Sequence, residues 1–238
     1  MKLNYFKKII IILMTLISLE GNIGCGKSTV LKQLKNYSDE IVYVDEPVNQ
    51  WESIKDSNNK NILELFYQDQ KKYSFSFQIL AYITRLKSLL DAYKSNPHKI
   101  IICERSIYTD KYVFAKMLYE QGNIEEIEWQ TYNYWFDTFK ELTKLDGLIY
   151  INTDPETCFD RIKKRNRNGE SDIPLEYLQN CDEKHHNWID NTEIKKLIIN
   201  GNDEFENDYT KRSLIIESCL NFSKQLYSSG AESSITSS

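Results

Sequence analysis

The chain contains the run Gly21-Asn22-Ile23-Gly24-Cys25-Gly26-Lys27-Ser28-Thr29 directly after an apolar stretch that ends at Leu19. The spacing is GxxxxGK[ST], in which glycines allow a tight turn whose N–H groups point inward. A lysine and a hydroxyl then stand where terminal phosphates and Mg²⁺ are held. The apolar pattern continues with helical spacing at Val30, Leu31 and Leu34, as the motif requires. The run therefore predicts a strand, a loop that binds nucleotide phosphates through its nine residues, and a helix.

Composition indicates one globular domain. The chain has 238 residues, of which 41% are hydrophobic, and a formal net charge of -5. This length can bury one sizeable core, and the acidic balance argues against a nucleic acid partner. The five cysteines are scattered and include no CxxC pair, so neither a disulfide framework nor a zinc ribbon is predicted. We expect a reducing, cytoplasmic compartment.

Both ends of the chain differ in composition from its middle. Residues 1–14 form a lysine-containing lead into an apolar run that is too short and too closely followed by polar residues for a membrane span. We interpret this run as the approach to a first strand, because cleavage of a signal peptide would remove the strand before Gly21. An organellar presequence, and with it a mitochondrial location, stays an alternative. Residues 226–238 are small and polar and predict a disordered tail, which leaves 15–225 as the domain.

Between these ends, short apolar runs alternate with longer amphipathic ones. The runs at 41–44, 100–103, 148–151 and 197–199 add four strands to the first, whereas the long connections at 61–93 and 109–145 have the pattern of helices. This alternation predicts an α/β fold of three layers, α/β/α, with a central five-stranded parallel sheet. Ligands bind at the carboxyl ends of such strands, so the residues after each run are the first candidates for chemistry.

Two further motifs follow predicted strands. Glu46-Pro47-Val48-Asn49-Gln50-Trp51 follows the second strand and Glu104-Arg105-Ser106 the third. Together with the phosphate loop, and in this order, they resemble the deoxynucleoside kinase family, most of all its deoxycytidine and deoxyguanosine kinases, over about residues 17–205. The resemblance implies a P-loop kinase with a helical lid that transfers the γ-phosphate of ATP to the 5′-hydroxyl of a deoxynucleoside, a step of nucleotide salvage.

The same resemblance implies roles for the charged residues of these motifs. Glu46 accepts the proton of the 5′-hydroxyl, a poor nucleophile. Arg105 keeps Glu46 ionised, and Lys27 supplies positive charge to the transferred phosphate. Ser28 and Glu104 are the expected ligands of Mg²⁺, directly or through water. The alternative is that Glu46 and Arg105 form an ion pair on the surface.

Positive charge is concentrated in the predicted lid at 161–172. Arg161 and Arg165 are four residues apart and share a helical face, so they can converge on the same phosphates as the lid closes. Arg167, near the end of this helix, either joins them at the phosphates or only steers ATP inward. A basic helix that is simply solvated is the alternative.

The predicted nucleoside pocket draws on several segments. The resemblance assigns Tyr67 and Glu170 to the sugar 3′-hydroxyl. The side-chain amide of Gln78 offers one donor and one acceptor to the edge of a base. Three aromatic residues are expected to wall and stack the base, although such residues are often simple core: Trp51, Phe77 and Phe114.

A charged pair is predicted beside the base. Arg85 lies two helical turns beyond Gln78, and Asp110 follows the third strand. Deoxycytidine and deoxyguanosine kinases carry the same residue types there, and Ala81 leaves room next to them. Unpaired polar groups in a dry pocket cost about 1–3 kcal/mol each, so we expect deoxycytidine or purine deoxynucleosides to be preferred over thymidine. An exposed salt bridge is the alternative.

Other interpretations stay open. A nucleoside monophosphate kinase of the thymidylate type shares fold and loop but needs a second phosphate site. A regulatory nucleotide-binding protein or GTPase is suggested by the [NT]KxD string Thr143-Lys144-Leu145-Asp146, although this string precedes a predicted strand instead of following one. Cys181 and His185 are four residues apart and can share a metal ion, but an ordinary helix surface is favoured. By analogy with similar kinases, we expect a homodimer packed through the aromatic stretch 129–139.

Overall fold

Five parallel strands form the centre of the molecule. The computed structural model describes residues 14–165, 173–203, 205 and 208–235, with side chains up to residue 229. The strands are β1 (Thr15–Glu20), β2 (Ile41–Val44), β3 (Ile100–Glu104), β4 (Gly147–Asn152) and β5 (Lys195–Asn200). Their order across the sheet is β2-β3-β1-β4-β5, and each neighbouring pair is parallel. The predicted five-stranded parallel sheet is confirmed.

Helices flank this sheet. They are α1 (Lys27–Leu34), α2 (Val48–Ser53), α3 (Ile62–Gln68), α4 (Gln70–Ser95), α5 (Ile107–Thr109), α6 (Lys116–Glu120), α7 (Glu126–Phe139), α8 (Pro155–Arg165), α9 (Leu175–Asn191) and α10 (Tyr209–Ile235). A π-helical segment, Asp110–Ala115, joins α5 to α6, and a 3₁₀ segment, Lys140–Thr143, follows α7. Helix α1 packs on β1 and β3, α4 on β2, and α10 on β1, β4 and β5. The α/β/α layering is therefore as predicted.

The central strand β1 explains where the site forms. All six of its residues are buried, because β3 and β4 pair with its two edges and helices cover its faces. The register aligns Leu19 with Glu104 of β3, and β2 runs alongside β3 in the same direction. The segments that follow β1, β2 and β3 consequently meet at one edge of the sheet.

Both long predicted helices are interrupted in the structure. A capping box between Asn61 and Glu64 begins α3, and Asp69 then begins α4 by accepting the N–H of Lys72. The second region breaks at Gly122, whose φ of 73° is left-handed. Hydrophobic periodicity continues across such breaks because it records which face is buried, whereas caps and turns decide where a helix ends.

The prediction that the chain is disordered from residue 226 onward is wrong for the first residues of this segment. Helix α10 runs to Ile235. Leu226 is buried, and a Cβ added to Gly147 would lie 2.4 Å from its Cδ1, so it packs closely on β4. The hydroxyl of Tyr227 donates to the carbonyl of His98 over 3.1 Å. Two residues at helical spacing from the preceding core residues thus extend the fold beyond the boundary that composition indicated.

Two minor motifs have structural surroundings. The carboxylate of Asp146, in the [NT]KxD string, accepts the N–H of Leu16 over 2.8 Å at the amino end of β1. Cys181 and His185 are fully buried, not on a helix surface, and His185 Nδ1 contacts the carbonyl of Cys181. In the described ranges no cluster of three or more acidic, histidine or cysteine side chains is arranged for a metal. None of the helices described there has the length and apolar character to cross a membrane.

Candidate active site

A cavity of about 500 Å³ opens at the carboxyl edge of the sheet. Most of the predicted site residues that the structure describes line it: Ile23, Gly24, Gly26, Lys27, Ser28, Thr29, Glu46, Trp51, Tyr67, Phe77, Gln78, Ala81, Arg85, Glu104, Arg105, Asp110, Phe114, Arg161 and Arg165. Arg167 and Glu170 lie outside the described residues. One cavity therefore contains the phosphate loop, the charged motifs and the aromatic wall.

The phosphate loop has the backbone that its glycines allow. Gly24 and Gly26 have φ values of 82° and 106°, a region that side chains rarely adopt. A Cβ at Gly24 would lie only 2.6 Å from the carbonyl oxygen of Cys158. Gly26 begins α1 without a side-chain cap, which leaves the helix N-terminus open to an anion. Lys27 Nζ donates to the carbonyls of Gly21 and Asn22 over 3.0 and 2.7 Å.

Three residues of the predicted loop support it from below and do not line the cavity. Asn22 Nδ2 donates to the carbonyl of Leu178 over 2.8 Å, so it anchors the loop to α9. Cys25 is fully buried, and a Cβ at Gly21 would meet its sulfur at 2.6 Å. Tight packing beneath the turn explains why these positions hold a small or inward-facing residue.

Glu46 is held by two guanidinium groups. Arg105 Nη1 donates to its Oε1 over 2.8 Å, and Arg85 Nη2 donates to the same oxygen over 3.1 Å. Burial alone would raise the pKa of Glu46, but Arg105 and Arg85 outweigh burial and bring this pKa down to about 2. Arg105 is only 5% exposed and the Glu46 side chain 14%. The alternative of a surface ion pair is therefore excluded.

Arg85 and Asp110 form a buried bidentate pair. Arg85 Nε and Nη2 donate to Asp110 Oδ2 and Oδ1 over 2.9 and 3.2 Å, and Nη1 donates to the carbonyl of Glu104. Both side chains are at most 3% exposed, so the pair is not an exposed salt bridge. Burial raises the pKa of Asp110, and Arg85 opposes that rise. Because Arg85 also reaches Glu46, the predicted base-reading pair is physically joined to the predicted catalytic carboxylate.

Aromatic side chains close the inner end of the cavity. Trp51 and Phe77 meet edge to face with centroids 5.4 Å apart, and Trp51 Nε1 donates to Thr84. The guanidinium of Arg105 lies 5.0 Å from the ring of Phe114. Gln78 is 2% exposed, and its Oε1 has no hydrogen-bond partner within the described part of the chain. A buried acceptor without a partner in a cavity is a position for a donor from a ligand.

Ser28 and Glu104 stand together beside the phosphate loop. Ser28 Oγ donates to Glu104 Oε1 over 2.9 Å. One carboxylate and one hydroxyl next to a phosphate site fit the way in which Mg²⁺ is bound, with most ligands supplied by water and phosphate oxygens. The donor set therefore suits the predicted metal.

The basic helix α8 faces the same cavity. Arg161 Nη1 donates to the carbonyls of Gly201 and Cys25 over 2.8 and 3.4 Å, which joins α8 to the phosphate loop. Arg165 and Lys164 also line the cavity. A purely solvated basic helix is not what the structure shows, since this face is directed at the site.

Sequence reasoning missed several lining residues. They are Val48, Leu63, Phe66, Lys164 and Tyr177. Phe205 packs against the phosphate loop, since a Cβ at Gly26 would lie 3.1 Å from its ring. Tyr67 meets Tyr177 of α9 with centroids 6.2 Å apart. Position within α8 was a usable signal for Lys164, and position within the Glu46–Trp51 motif was one for Val48. Leu63, Phe66 and Tyr177 come from segments with no local motif.

Comparison with known proteins agrees with this geometry. A family model described as deoxynucleoside kinase matches residues 17–224. The chain is 34% identical to deoxycytidine kinase 2 of Gallus gallus, over 87% of this chain and 89% of that protein. It is 34% identical to Homo sapiens deoxycytidine kinase, over 81% and 86% of the two chains. With the mitochondrial deoxyguanosine kinase of Xenopus laevis it shares 33% identity, over 81% and 83%. The chain therefore belongs to the deoxynucleoside kinase family, whose phosphate donor is a nucleotide such as ATP.

Proposed function

We propose that this chain transfers the γ-phosphate of ATP, with Mg²⁺, to the 5′-hydroxyl of deoxycytidine or a purine deoxynucleoside in preference to thymidine. The observation that carries this proposal is the junction at Glu46. One carboxylate held by Arg105 and Arg85 shares a cavity with an open phosphate loop. Phosphoryl transfer needs an oriented hydroxyl and positive charge around the transferred group, and this cavity has both.

In the proposed reaction, the 5′-oxygen attacks the γ-phosphorus and the bond from that phosphorus to the β–γ bridging oxygen breaks. The hydroxyl proton passes to Glu46, and ADP leaves with the bridging oxygen. A pKa of about 2 makes Glu46 a weak base, so it chiefly orients the hydroxyl and takes the proton late, as suits a loose transition state. Lys27 exchanges its two carbonyl contacts for phosphate oxygens. Bound Mg²⁺, held through Ser28 and Glu104, would neutralise phosphate charge.

The proposed base preference rests on Gln78 and the Arg85–Asp110 pair. The unpaired Gln78 Oε1 matches the amino group of cytosine or adenine, which donates hydrogen bonds. In the proposed mode of binding, the 5-methyl group of thymine lies near the buried charged pair. If it displaces either partner, the group left unpaired costs about 1–3 kcal/mol. Discrimination of about tenfold or more against thymidine is expected, since 1.4 kcal/mol corresponds to a factor of ten.

The test is a phosphate-transfer assay with purified protein, labelled ATP and Mg²⁺. Its acceptors are the four deoxynucleosides and their monophosphates. Transfer to deoxycytidine or a purine deoxynucleoside, well above thymidine, supports the proposal. Comparable thymidine turnover would refute the base preference alone. Transfer only to monophosphates would indicate a monophosphate kinase, and nucleotide binding with slow hydrolysis and no acceptor would indicate a regulatory protein.

Assembly and location stay predictions. Helix α7 exposes Ile127, Tyr134 and Trp135, with Tyr134 at 76%, and apolar groups on one helix are typical of an interface. We expect a homodimer through α7, and light scattering that shows a monomer at all concentrations would contradict it.

We expect a cytoplasmic location, with mitochondria as the alternative, and fractionation of cells that express the full chain distinguishes the two.

A further inference from the structure

A buried carboxylate that has no role in the proposed chemistry lies directly before the phosphate loop. Glu20 is the last residue of β1, is 0% exposed, and immediately precedes Gly21. Its carboxylate accepts hydrogen bonds from three hydroxyl groups. Ser106 Oγ donates to Oε1 over 3.1 Å, Thr109 Oγ1 lies 2.6 Å from both carboxylate oxygens, and Ser18 Oγ also donates to Oε1.

The hydroxyl groups of Ser106 and Thr109 are committed on their other side. They form a capping box at the start of α5, in which Thr109 Oγ1 accepts the N–H of Ser106 and Ser106 Oγ accepts the N–H of Thr109. Each of these two hydroxyl groups accepts a hydrogen bond within the capping box, so it donates its own proton to another acceptor. The shortest contact of each hydroxyl beyond the box leads to Glu20. An ionised carboxylate accepts only, so it suits a cluster of three donors.

Ser106 and Thr109 are adjacent in sequence to Arg105 and Asp110, which hold the network around Glu46. Arg105, just before Ser106, has a φ of 60°, a strained value for a residue with a side chain that persists only where its surroundings impose it. Its N–H donates to the carbonyl of Leu19 over 3.0 Å, the residue before Glu20. Asp110 directly follows Thr109 and holds Arg85. Glu20, at the start of the phosphate loop, is thus connected through Ser106 and Thr109 to the backbone next to both Arg105 and Asp110.

The burial of a carboxylate here has a cost that the site must offset. Burial raises the pKa of Glu20, while the hydroxyls of Ser18 and Thr109 and the charges of Arg105 and Arg85 lower it. An apolar residue of similar size would avoid that cost but would leave the buried hydroxyl protons without acceptors. The cost is explained if the hydroxyl network must be held in one arrangement.

We propose that Glu20 is a positioning residue for phosphoryl transfer, which aligns Arg105 and Asp110 with the phosphate loop through Ser106 and Thr109. This proposal rests on the proposed function. A misplacement of about 1 Å of a positioned group can reduce turnover about 10²-fold. The expected signature is a loss in kcat with little change in KM, because the nucleoside and ATP still bind while the reacting groups are misaligned.

The experiment compares Glu20→Gln, Thr109→Val and the double variant with the wild type. Glu20→Gln keeps the size but replaces one acceptor oxygen with a donor, and Thr109→Val removes the hydroxyl from a similar shape. The control is Asp146→Asn, a matched change at the other end of β1, where the carboxylate accepts the N–H of Leu16. Melting temperatures, kcat, and KM for ATP and deoxynucleoside are measured for all five proteins.

We expect each single variant to lower kcat about 10- to 100-fold, with both KM values within about threefold and Asp146→Asn near the wild type. The kcat of the double variant should fall by less than the product of the two single effects, because both changes break the contact between Glu20 and Thr109. Folded single variants with unchanged kcat, or with a raised KM alone, would overturn the proposal. If Glu20→Gln does not fold, Thr109→Val decides. A wild type that phosphorylates no deoxynucleoside would overturn the proposed function and this role with it.

Discussion

The two halves of the cavity hold their charges in opposite ways. In the acceptor half, formed by Glu46, Arg85, Arg105 and Asp110, each charge is bonded to an opposite charge at low exposure. In the donor half, formed by the phosphate loop and α8, Lys27 and Arg161 donate to main-chain carbonyls. Carbonyl contacts are neutral, so a phosphate can displace them with a gain in charge pairing. Ion pairs in a dry site do not exchange so easily.

This difference indicates that the acceptor half is organised before any ligand binds, whereas the donor half is completed by its ligand. Preorganised charges contribute to catalysis because they need no rearrangement during the reaction. Changes in the acceptor half should therefore reduce turnover and stability together. Changes in the donor half should act mainly on ATP binding.

The largest effect is expected at the centre of the acceptor half. Glu46→Gln removes the charge that holds both guanidiniums and the group proposed to accept the hydroxyl proton, so kcat should fall by about 10²–10⁴ while nucleoside binding is largely kept. Steady-state kinetics measures kcat, and calorimetric titration measures nucleoside binding. The matched control is Asp45→Asn, the adjacent carboxylate that pairs with Lys35 at the surface. Unchanged turnover in Glu46→Gln would remove the proposed role.

Loss of Arg85 should break the acceptor half as a structure. Arg85→Met leaves Asp110 buried without its partner, and removal of one member of a buried pair costs about 3–5 kcal/mol of unfolding free energy. Urea denaturation measures this change. The control is Lys87→Met, on the exposed face of the same helix in a pair with Asp91, which should cost about 0.5 kcal/mol or less. Arg85→Met should also phosphorylate thymidine better relative to deoxycytidine. An unchanged ratio of thymidine to deoxycytidine turnover would mean that the Arg85–Asp110 pair does not contact the base.

Acid should weaken the acceptor half through Glu46. The pKa of Glu46 is about 2 in the folded protein, against its ordinary value of 4.5, so its ion pairs stabilise the folded state above about pH 4.5. That stabilisation, about 3 kcal/mol at 1.36 kcal/mol per pKa unit, is lost as the pH falls through 4.5 toward 2. Glu20 and Asp110 have raised pKa values and act in the opposite direction.

A comparison with Glu46→Gln isolates this contribution. Unfolding free energy measured from pH 7 to pH 3 should fall more steeply in the wild type than in the variant. Parallel curves would mean that Glu46 is not held by its cations in solution.

The smallest effect is expected in the donor half. Arg161→Ala removes the contacts to Gly201 and Cys25 and one cation that can turn to phosphate. Since a hydrogen bond to a charged group contributes about 1.5–3 kcal/mol, KM for ATP should rise about tenfold or more, with KM for deoxynucleoside unchanged. Lys163→Ala is the control, because Lys163 is on the same helix but stacks on Phe159. An equal rise in the deoxynucleoside KM would remove the distinction between the halves.

Prediction from sequence succeeded where residues are contiguous or periodic. The phosphate loop and the motifs at Glu46 and Glu104 were found because each is a short run at the end of an apolar segment, and the structure brings them to one cavity. Leu63 and Tyr177 were missed, since no local pattern marks a residue that reaches a site from a distant helix. Glu20 was assigned no role from the sequence, because its hydroxyl partners at 106 and 109 are far along the chain.

By itself the sequence determined the succession of strands and helices along the chain, the phosphate loop and the edge of the sheet at which ligands bind. These features follow from hydrophobic period and glycine conformation, which act over a few residues. Only the tertiary structure decided which charges meet. Glu46 and Arg105 are 59 positions apart and Arg85 and Glu46 are 39 apart. Their contacts depend on the register of parallel strands and on the packing of α4 on β2, which no local pattern encodes.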